Sequence, residues 1–257
     1  MKRSVTLADK QATAKPAIDR PIGLTAAVPS EGDFLIKQFN LIKKAGPGPL
    51  LFYTGRSQGR SIVYVVSGIG KTNAAHATTC LIHRYNPAFV INFGIGGAYP
   101  ASGLKVGDIA IAAKEIYADE GVKTKTGFKT LETIGIPALK SGRKKYFNEF
   151  PLDKQLLKAA LKTGAKTAIK TISGVFTTVS TCSGETKRAD EIHREFGAVC
   201  ENMEGAAVAH ICRMYQTPCV EIRGISNMVG DRDIAQWDIP LAALNCGTAV
   251  LELIKIL

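Results

Sequence analysis

Continuous apolar segments alternate with amphipathic segments through most of the chain. Apolar runs that are rich in β-branched residues and bounded by glycine or proline predict strands buried on both faces. Strands are expected at residues 21–28, 61–67, 88–93, 107–113, 172–180 and 218–225. Helices are expected from about residue 31 and at 74–85, 153–162, 185–195, 204–215 and 239–256, with an irregular region at 121–150.

This order of elements predicts the fold class. Strands separated by helices indicate an α/β fold, a single domain with a central mixed, mostly parallel sheet that helices flank on both faces in three layers. Residues 21–257 are expected to form that domain, and residues 1–20 a polar, flexible leader. Ligands of such sheets bind beyond the carboxyl ends of the strands, so we expect one site built from several strand ends.

Composition excludes several classes of protein. The chain has 257 residues, of which 46% are hydrophobic and 21% charged, as in ordinary globular proteins. No apolar run approaches ~18 uninterrupted residues and no secretory signal opens the chain, so no membrane segment is predicted. Six cysteines without a CxxC pair and four histidines without an HExxH motif predict no metal site. The scattered thiols are typical of buried small side chains in a cytoplasmic protein.

The positive charge is concentrated in one part of the chain. The net charge is +11, and residues 121–170 hold twelve Lys or Arg against three acids. Lys154, Lys158 and Lys162 recur at the i,i+4 spacing, which predicts one solvated face of a helix. The alternative is a surface that attracts an acidic ligand. No zinc-finger, RRM or basic-zipper motif accompanies the charge, so no nucleic-acid partner is predicted.

Two glycine-rich segments follow apolar strands without completing a nucleotide-binding motif. Residues 68–71 (GIGK) are not a P-loop, because Val65 stands where the first glycine is required. Residues 94–97 (GIGG) are not a dinucleotide loop, because Tyr99 replaces its third glycine. Neither ATP nor NAD, nor any other cofactor, is predicted. The glycines are compatible with a backbone that approaches a ligand or with a tight turn.

Polar side chains stand where strands are expected to end. Glu31 follows the first strand, and Glu204 opens a helix, where the helix dipole stabilises an anion. A glutamate can accept two hydrogen bonds at once, which suits a vicinal diol such as that of ribose. Arg223, Ser226 and Asn227 end the last strand. Taken singly, each also has an ordinary explanation as a first-turn acid, a helix cap or a turn residue.

Five motifs together resemble the nucleoside phosphorylase/nucleosidase superfamily from about residue 22 to the C-terminus. They are the glutamate after the first strand, SGIGKTNAA, NFGIGGA with LKVGDIAIA, NMEGAA, and the Arg-x-x-Ser-Asn strand end. Val-Pro-x-Glu at 28–31, YFNEFPLD at 146–153 and the segment 223–239 are similar to the futalosine hydrolase branch. The resemblance implies a cytoplasmic homodimer without a cofactor. Its implied reaction cleaves futalosine to hypoxanthine and dehypoxanthine futalosine in menaquinone biosynthesis.

The same resemblance implies roles for particular residues. Glu31 would deprotonate the attacking water, Glu204 would bind the ribose hydroxyls, and Asn227 would stabilise the departing base, which makes these three the expected catalytic residues. The expected substrate-binding residues are Ile95, Gly96, Gly97, Asn202, Met203, Arg223 and Ser226. Phe93 and Phe176 are candidates for an aromatic side chain that stacks on the base.

Two departures from neighbouring branches bear on the substrate. Nucleosidases that cleave methylthioadenosine carry Asp in place of Asn227, and an amide can donate toward the O6 or N7 acceptors of a 6-oxopurine. The turn at 28–31 holds no arginine, which favours water over phosphate as the nucleophile. A methylthioadenosine/S-adenosylhomocysteine nucleosidase and a purine nucleoside phosphorylase remain alternatives. Other classes are a non-catalytic nucleoside-binding protein, which the two carboxylates argue against, and a basic nucleic-acid binder.

Overall fold

The computed structural model describes residues 20–257, in which strands and helices alternate. The strands are β1 (Ile22–Ala26), β2 (Ile42–Ala45), β3 (Leu51–Ser57), β4 (Arg60–Val66), β5 (Phe89–Ala98), β6 (Ile109–Tyr117), β7 (Gly121–Thr124), β8 (Gly127–Thr130), β9 (Leu139–Ser141), β10 (Lys144–Tyr146), β11 (Glu149–Pro151), β12 (Thr171–Thr178), β13 (Ala198–Asn202) and β14 (Cys219–Met228). The helices are α1 (Pro29–Gln38), α2 (Lys71–Tyr85), α3 (Lys154–Leu161), α4 (Thr163–Thr167), α5 (Thr186–Phe196), α6 (Gly205–Met214) and α7 (Ile239–Ile256). Apart from Arg20, the expected leader lies outside the described residues.

Ten strands form one mixed sheet, in the order β11-β6-β12-β13-β5-β1-β4-β3-β2, with β14 paired to both β5 and β6. The pairs β1–β4, β1–β5, β5–β14, β6–β12 and β12–β13 are parallel. The pairs β5–β13 and β6–β14 are antiparallel. These pairings close a ring of five strands, in the order β5, β13, β12, β6 and β14. Two of the five pairs in the ring, β5–β13 and β6–β14, are antiparallel. The expected single-domain α/β fold is present, but the sheet is more mixed than expected.

Helices cover both faces of the sheet, as expected. Helices α2 and α6 pack together on one face, where Leu81 and Val208 belong to one hydrophobic cluster. Helices α1 and α7 pack together on the other, where Leu35 and Leu253 belong to a second cluster. The two clusters place the core on both sides of the central strands.

Helix α7 is long and apolar enough to cross a membrane by length and composition, with a mean hydropathy of 1.5. The sequence was expected to contain no membrane-length segment, and α7 was missed because Asn245 and Glu252 interrupt its apolar run. The helix packs on β14, β5 and α1, and it buries Cys246 and Val250 in the core. The core helix of a globular protein can be equally long and apolar. The hydropathy of α7 is therefore explained by its packing in the core.

Several local expectations were wrong. The glycine run 94–97 lies inside β5 instead of ending it. Strands β2, β3 and β13 were missed, because β2 is exposed, β3 is only partly buried and β13 is five residues long. Residues 121–150 form β7–β8 and β9–β10 hairpins and the edge strand β11 instead of an irregular region.

Candidate active site

A cavity of about 350 Å³ opens where β1, β5, β13 and β14 end. The parallel strands β1, β5 and β14 bring their carboxyl ends to one edge of the sheet, and the end of the antiparallel β13 lies beside them, so the cavity gathers segments that are remote in the sequence. The residues that line the cavity include all ten expected at the site: Glu31, Ile95, Gly96, Gly97, Asn202, Met203, Glu204, Arg223, Ser226 and Asn227.

Glu31 lies at the start of α1 with its carboxylate fixed by backbone donors. Its Oε2 accepts the N–H groups of Ala27 at 2.9 Å and Val28 at 3.0 Å, and its Oε1 accepts the N–H of Ile95 at 2.8 Å. The residue is only 4% exposed. Burial raises the pKa of Glu31 above its ordinary value, although nearby Arg223 acts in the opposite direction. A fixed carboxylate with a raised pKa is suited to accept a proton.

Arg223 lies in the middle of β14 and not at the expected strand end, and it connects Glu204 to the backbone of β5. Its Nε donates to Glu221 at 2.8 Å, its Nη2 to Glu204 at 3.3 Å, and its Nη1 to the carbonyl of Ile95 at 3.1 Å. The second carboxylate oxygen of Glu204 accepts the N–H of Gly70 at 2.9 Å. The glycine-rich turn at 68–70 therefore holds Glu204 through its backbone.

Gly94 allows this close approach. A Cβ at this position would collide with the carboxylate of Glu31 and would lie 3.1 Å from Nη1 of Arg223. The backbone φ of +151° also favours glycine. The absence of a side chain at Gly94 therefore leaves space in which Glu31 and Arg223 can lie against β5.

Asn202 uses its side chain to position Glu204. Its Oδ1 accepts the N–H groups of Glu204 at 2.9 Å and Gly205 at 2.7 Å, and its Nδ2 donates to Glu115 at 2.7 Å. Complete burial and the adjacent Glu221 raise the pKa of Glu115 well above its ordinary value. This raised pKa favours the protonated form of Glu115 beneath the start of α6, and the amide of Asn202 is engaged with protein groups.

Asn227 is held by its neighbours with part of its amide facing the cavity. The hydroxyl of Ser226 donates to Oδ1 of Asn227 at 2.8 Å, and Nδ2 of Asn227 donates to the carbonyl of Met228 at 3.0 Å. An amide nitrogen has two N–H donors, so one remains for a ligand. Ser226, expected to bind substrate, is only 2% exposed, and its hydroxyl donates to Asn227.

Several residues that line the cavity were not among those expected from the sequence, including Glu201 and Ser183. The carboxylate of Glu201 accepts two hydrogen bonds from Ser183, from its N–H at 2.8 Å and from its hydroxyl at 2.7 Å. It also accepts one from the hydroxyl of Tyr99 at 2.9 Å. It thereby fixes the loop before α5 against the cavity. The signal was present, since Glu201 directly precedes the NMEGAA motif that contains Glu204.

The expected stacking aromatics were wrong. Phe93 and Phe176 are fully buried in the two hydrophobic clusters and do not line the cavity. Trp237 lines it instead, with the guanidinium carbon of Arg232 lying 4.7 Å from its ring centroid. Cys182 also lines the cavity and is exposed, unlike the buried Cys200, Cys212, Cys219 and Cys246, which are packed as expected.

The basic segment lies apart from this cavity. Within the described chain, no lysine or arginine of residues 121–170 lines it. Lys123 lines a second cavity of about 650 Å³ between the β7–β8 hairpin and α5, and the i,i+4 lysines around α3 are exposed. Lys71, which follows the glycine turn, pairs with Asp119 at 2.7 Å and Glu120 at 3.2 Å. The exposed lysines around α3 agree with the expected solvated face. The ion pairs of Lys71 agree with the expectation that the turn at 68–71 is not a P-loop.

The comparisons with known proteins agree with the fold. A family model described as the phosphorylase superfamily matches residues 21–256, so the chain belongs to that superfamily. A crystal structure of the 5′-methylthioadenosine/S-adenosylhomocysteine nucleosidase from Neisseria meningitidis, in complex with methylthio-immucillin-A, is similar with a TM-score of 0.81 at 26% identity. The match covers 93% of this chain and 100% of that one.

Curated relatives narrow the class further. A 5′-methylthioadenosine/S-adenosylhomocysteine nucleosidase from Psychromonas ingrahamii is 33% identical over 244 residues, covering 91% of this chain and 98% of the relative. A futalosine hydrolase from Thermus thermophilus is 36% identical over 208 residues, covering 80% and 87%. Both are nucleosidases, and the chain is an enzyme of this class, the N-glycosyl hydrolases. The resemblance to the superfamily is confirmed, whereas its futalosine branch remains a prediction.

Proposed function

We propose that the chain hydrolyses the N-glycosidic bond of a purine nucleoside, with Glu31 as the base that activates water. The observation that carries this proposal is the placement of Glu31. Its carboxylate is buried, held by three backbone N–H groups, and lines the same cavity as Glu204 and Asn227. The homodimer and the cytoplasmic location implied by the resemblance remain predictions.

The charges of the site favour water over phosphate. Glu31 and Glu204 both line the cavity, and Glu201 adds a third carboxylate to its wall. Arg223 is the buried cation among them, and its Nε and Nη2 are engaged with Glu221 and Glu204. The three carboxylates outnumber the two guanidiniums that line the cavity, those of Arg223 and Arg232, so the cavity would repel a phosphate dianion but not a neutral water molecule.

The reaction then follows from the positions of these groups. Glu31 takes a proton from water, and the water oxygen bonds to the anomeric carbon of ribose. The C–N bond breaks and its electron pair leaves with the purine, which Asn227 stabilises by donating from its amide before the base takes a proton from solvent. Glu204 accepts from the ribose hydroxyls and its negative charge stabilises the developing cation. Arg223 and Asn202 keep Glu204 in place.

For the purine itself, relatives give more support to adenine release. Most of the similar curated proteins are methylthioadenosine/S-adenosylhomocysteine nucleosidases, and futalosine hydrolase appears less often among them. Cleavage of methylthioadenosine or S-adenosylhomocysteine is therefore the first candidate.

One residue favours a second candidate, a 6-oxopurine nucleoside such as futalosine. By the resemblance, Asn227 stands where the adenine-releasing branch carries Asp. It lines the cavity, and one N–H of its amide has no acceptor in the described chain. An amide donor suits the O6 and N7 acceptors of hypoxanthine, while it lacks the acid proton that an adenine leaving group can take at N7.

Product analysis separates the two candidates. The purified chain is incubated with methylthioadenosine, S-adenosylhomocysteine, inosine and futalosine, and the released bases are quantified by chromatography. Adenine from the first two substrates supports the first candidate, and hypoxanthine from futalosine supports the second. Release of no base from any of them would contradict the nucleosidase proposal.

A further inference from the structure

Trp237 is fixed at the end of the cavity that holds Asn227. The N–H of Asp238, the next residue, donates to the carbonyl of Ser226 at 2.9 Å. This bond ties the segment before α7 to the end of β14, beside the amide expected to face the purine. Trp237 is half-buried, lines the cavity, and is the single tryptophan of the chain.

Arg232 lies over this indole at the same end of the cavity. Its guanidinium carbon is 4.7 Å from the ring centroid, a distance at which a cation and an aromatic face attract each other. Its side chain also lies against Gly184, where an added Cβ would be 3.4 Å from Cδ of Arg232. The indole and the loop before α5 therefore hold an exposed guanidinium at the rim of the cavity.

No acid of the described chain neutralises this guanidinium. The flanking acids face other groups: Asp231 accepts the N–H of Thr186 at 3.0 Å, and Asp233 accepts that of Ala235 at 3.2 Å. Within residues 20–257, Arg232 takes part in no ion pair. Its N–H donors are thus available to an acceptor on a ligand.

We propose that Arg232, positioned by Trp237, donates to the carbonyl oxygen at C6 of the purine and makes the enzyme selective for 6-oxopurines. This inference rests on the proposed function and deepens its second candidate. A guanidinium can only donate, so it complements O6 of hypoxanthine and opposes the 6-amino donor of adenine. Asn227 has one free N–H, whereas a 6-oxopurine presents two acceptors, O6 and N7, so a second donor is needed for the other acceptor.

Substrate preference tests the role of Arg232. In Arg232→Met, which keeps an unbranched flexible side chain and removes the N–H donors, the ratio of kcat/KM for inosine to that for adenosine should fall by about 10-fold or more. Arg143→Met is the matched control, because Arg143 is exposed in the β9–β10 turn and does not line the cavity. An unchanged ratio in Arg232→Met, or an equal change in the control, would overturn the proposal.

The positioning role of Trp237 has its own test. Trp237→Ala should lower the same ratio, and Trp237→Phe should restore much of it, because a phenyl ring still offers a face to Arg232. A loss of overall activity with an unchanged ratio in Trp237→Ala would show a merely structural tryptophan and would contradict this part of the proposal.

Base binding separates this inference from the nucleosidase proposal. Because Trp237 is the single tryptophan, its fluorescence reports on the cavity without any turnover. Hypoxanthine should change this fluorescence and bind more tightly than adenine, and Arg232→Met should remove at least about 10-fold of that preference. Equal affinities, or tighter adenine binding, would overturn the inference whether or not the wild-type chain cleaves nucleosides. Cleavage without the preference would leave the proposed function standing.

Discussion

Glu31, at the start of α1, and Asn227, near the end of β14, both contact strand β5. Oε1 of Glu31 accepts the N–H of Ile95 at 2.8 Å, and Asn227 pairs in register with Gly97. Two residues along a strand span about 7 Å, which leaves room for a sugar between the base that activates water and the amide that receives the purine. The β5 backbone therefore sets the spacing of the two groups on which the proposed reaction depends.

Replacing Glu31 with Gln tests its role as the base. Gln keeps the size of the side chain but cannot take a proton from water, so kcat should fall by about 10³-fold. Circular dichroism and the thermal midpoint check that the fold is retained. Glu149→Gln, at an exposed site outside the cavity, serves as the control. Activity near the wild-type level in Glu31→Gln would remove this residue from the mechanism.

The acid limb of the pH profile follows from the same residue. Burial raises the pKa of Glu31, so its carboxyl stays protonated to a higher pH than an ordinary glutamate does. Since the proposed base acts in its ionised form, kcat/KM should fall with decreasing pH at a midpoint above the ordinary glutamate value of ~4.3. A profile that stays flat down to that value would contradict the assignment.

Asn227→Asp tests how the leaving base is recognised. A carboxyl here can supply a proton to N7 of adenine, while its ionised form opposes the two acceptors of a 6-oxopurine. The ratio of adenosine to inosine cleavage should therefore rise by about 10-fold or more, as measured by kcat/KM for each substrate. If the ratio does not move, the base is recognised by other residues.

The buried acids beneath α6 are expected to differ in their effect on stability. The raised pKa of Glu115 favours its neutral form, which Gln resembles, so Glu115→Gln should cost less than about 1 kcal/mol. Glu221→Gln should cost about 3 kcal/mol, because it removes a buried charge 2.8 Å from Nε of Arg223. Urea denaturation measures both free energies of unfolding. Equal losses would show that Glu115 is ionised.

Much of the fold could be predicted from the pattern of the chain. Helix α7 has the expected bounds, and the buried strands β1, β4 and β14 lie within a few residues of theirs, because long apolar runs reveal buried elements. Strand β13 could not be found in this way. It is only five residues long and ends in Glu201 and Asn202, whose burial depends on hydrogen-bond partners elsewhere in the chain.

The residues that line the cavity could largely be predicted from the sequence, but the contacts of several of them could not. Motifs of the superfamily indicated the ten expected residues, and all of them line one cavity. Tertiary packing sets the directions of side chains. It turns the amide of Asn202 toward α6, and it places Trp237 in the cavity while Phe93 and Phe176 stay in the core. Sequence spacing carries little information about such directions.

The most direct test of the account is the dependence of turnover on phosphate. The best nucleoside substrate is incubated with the purified chain, with and without phosphate, and the sugar product is identified by phosphorus NMR and a reducing-sugar assay. The account predicts free sugar at the same rate in both conditions, because water activated by Glu31 is the nucleophile. Turnover that requires phosphate and yields a sugar 1-phosphate would contradict it.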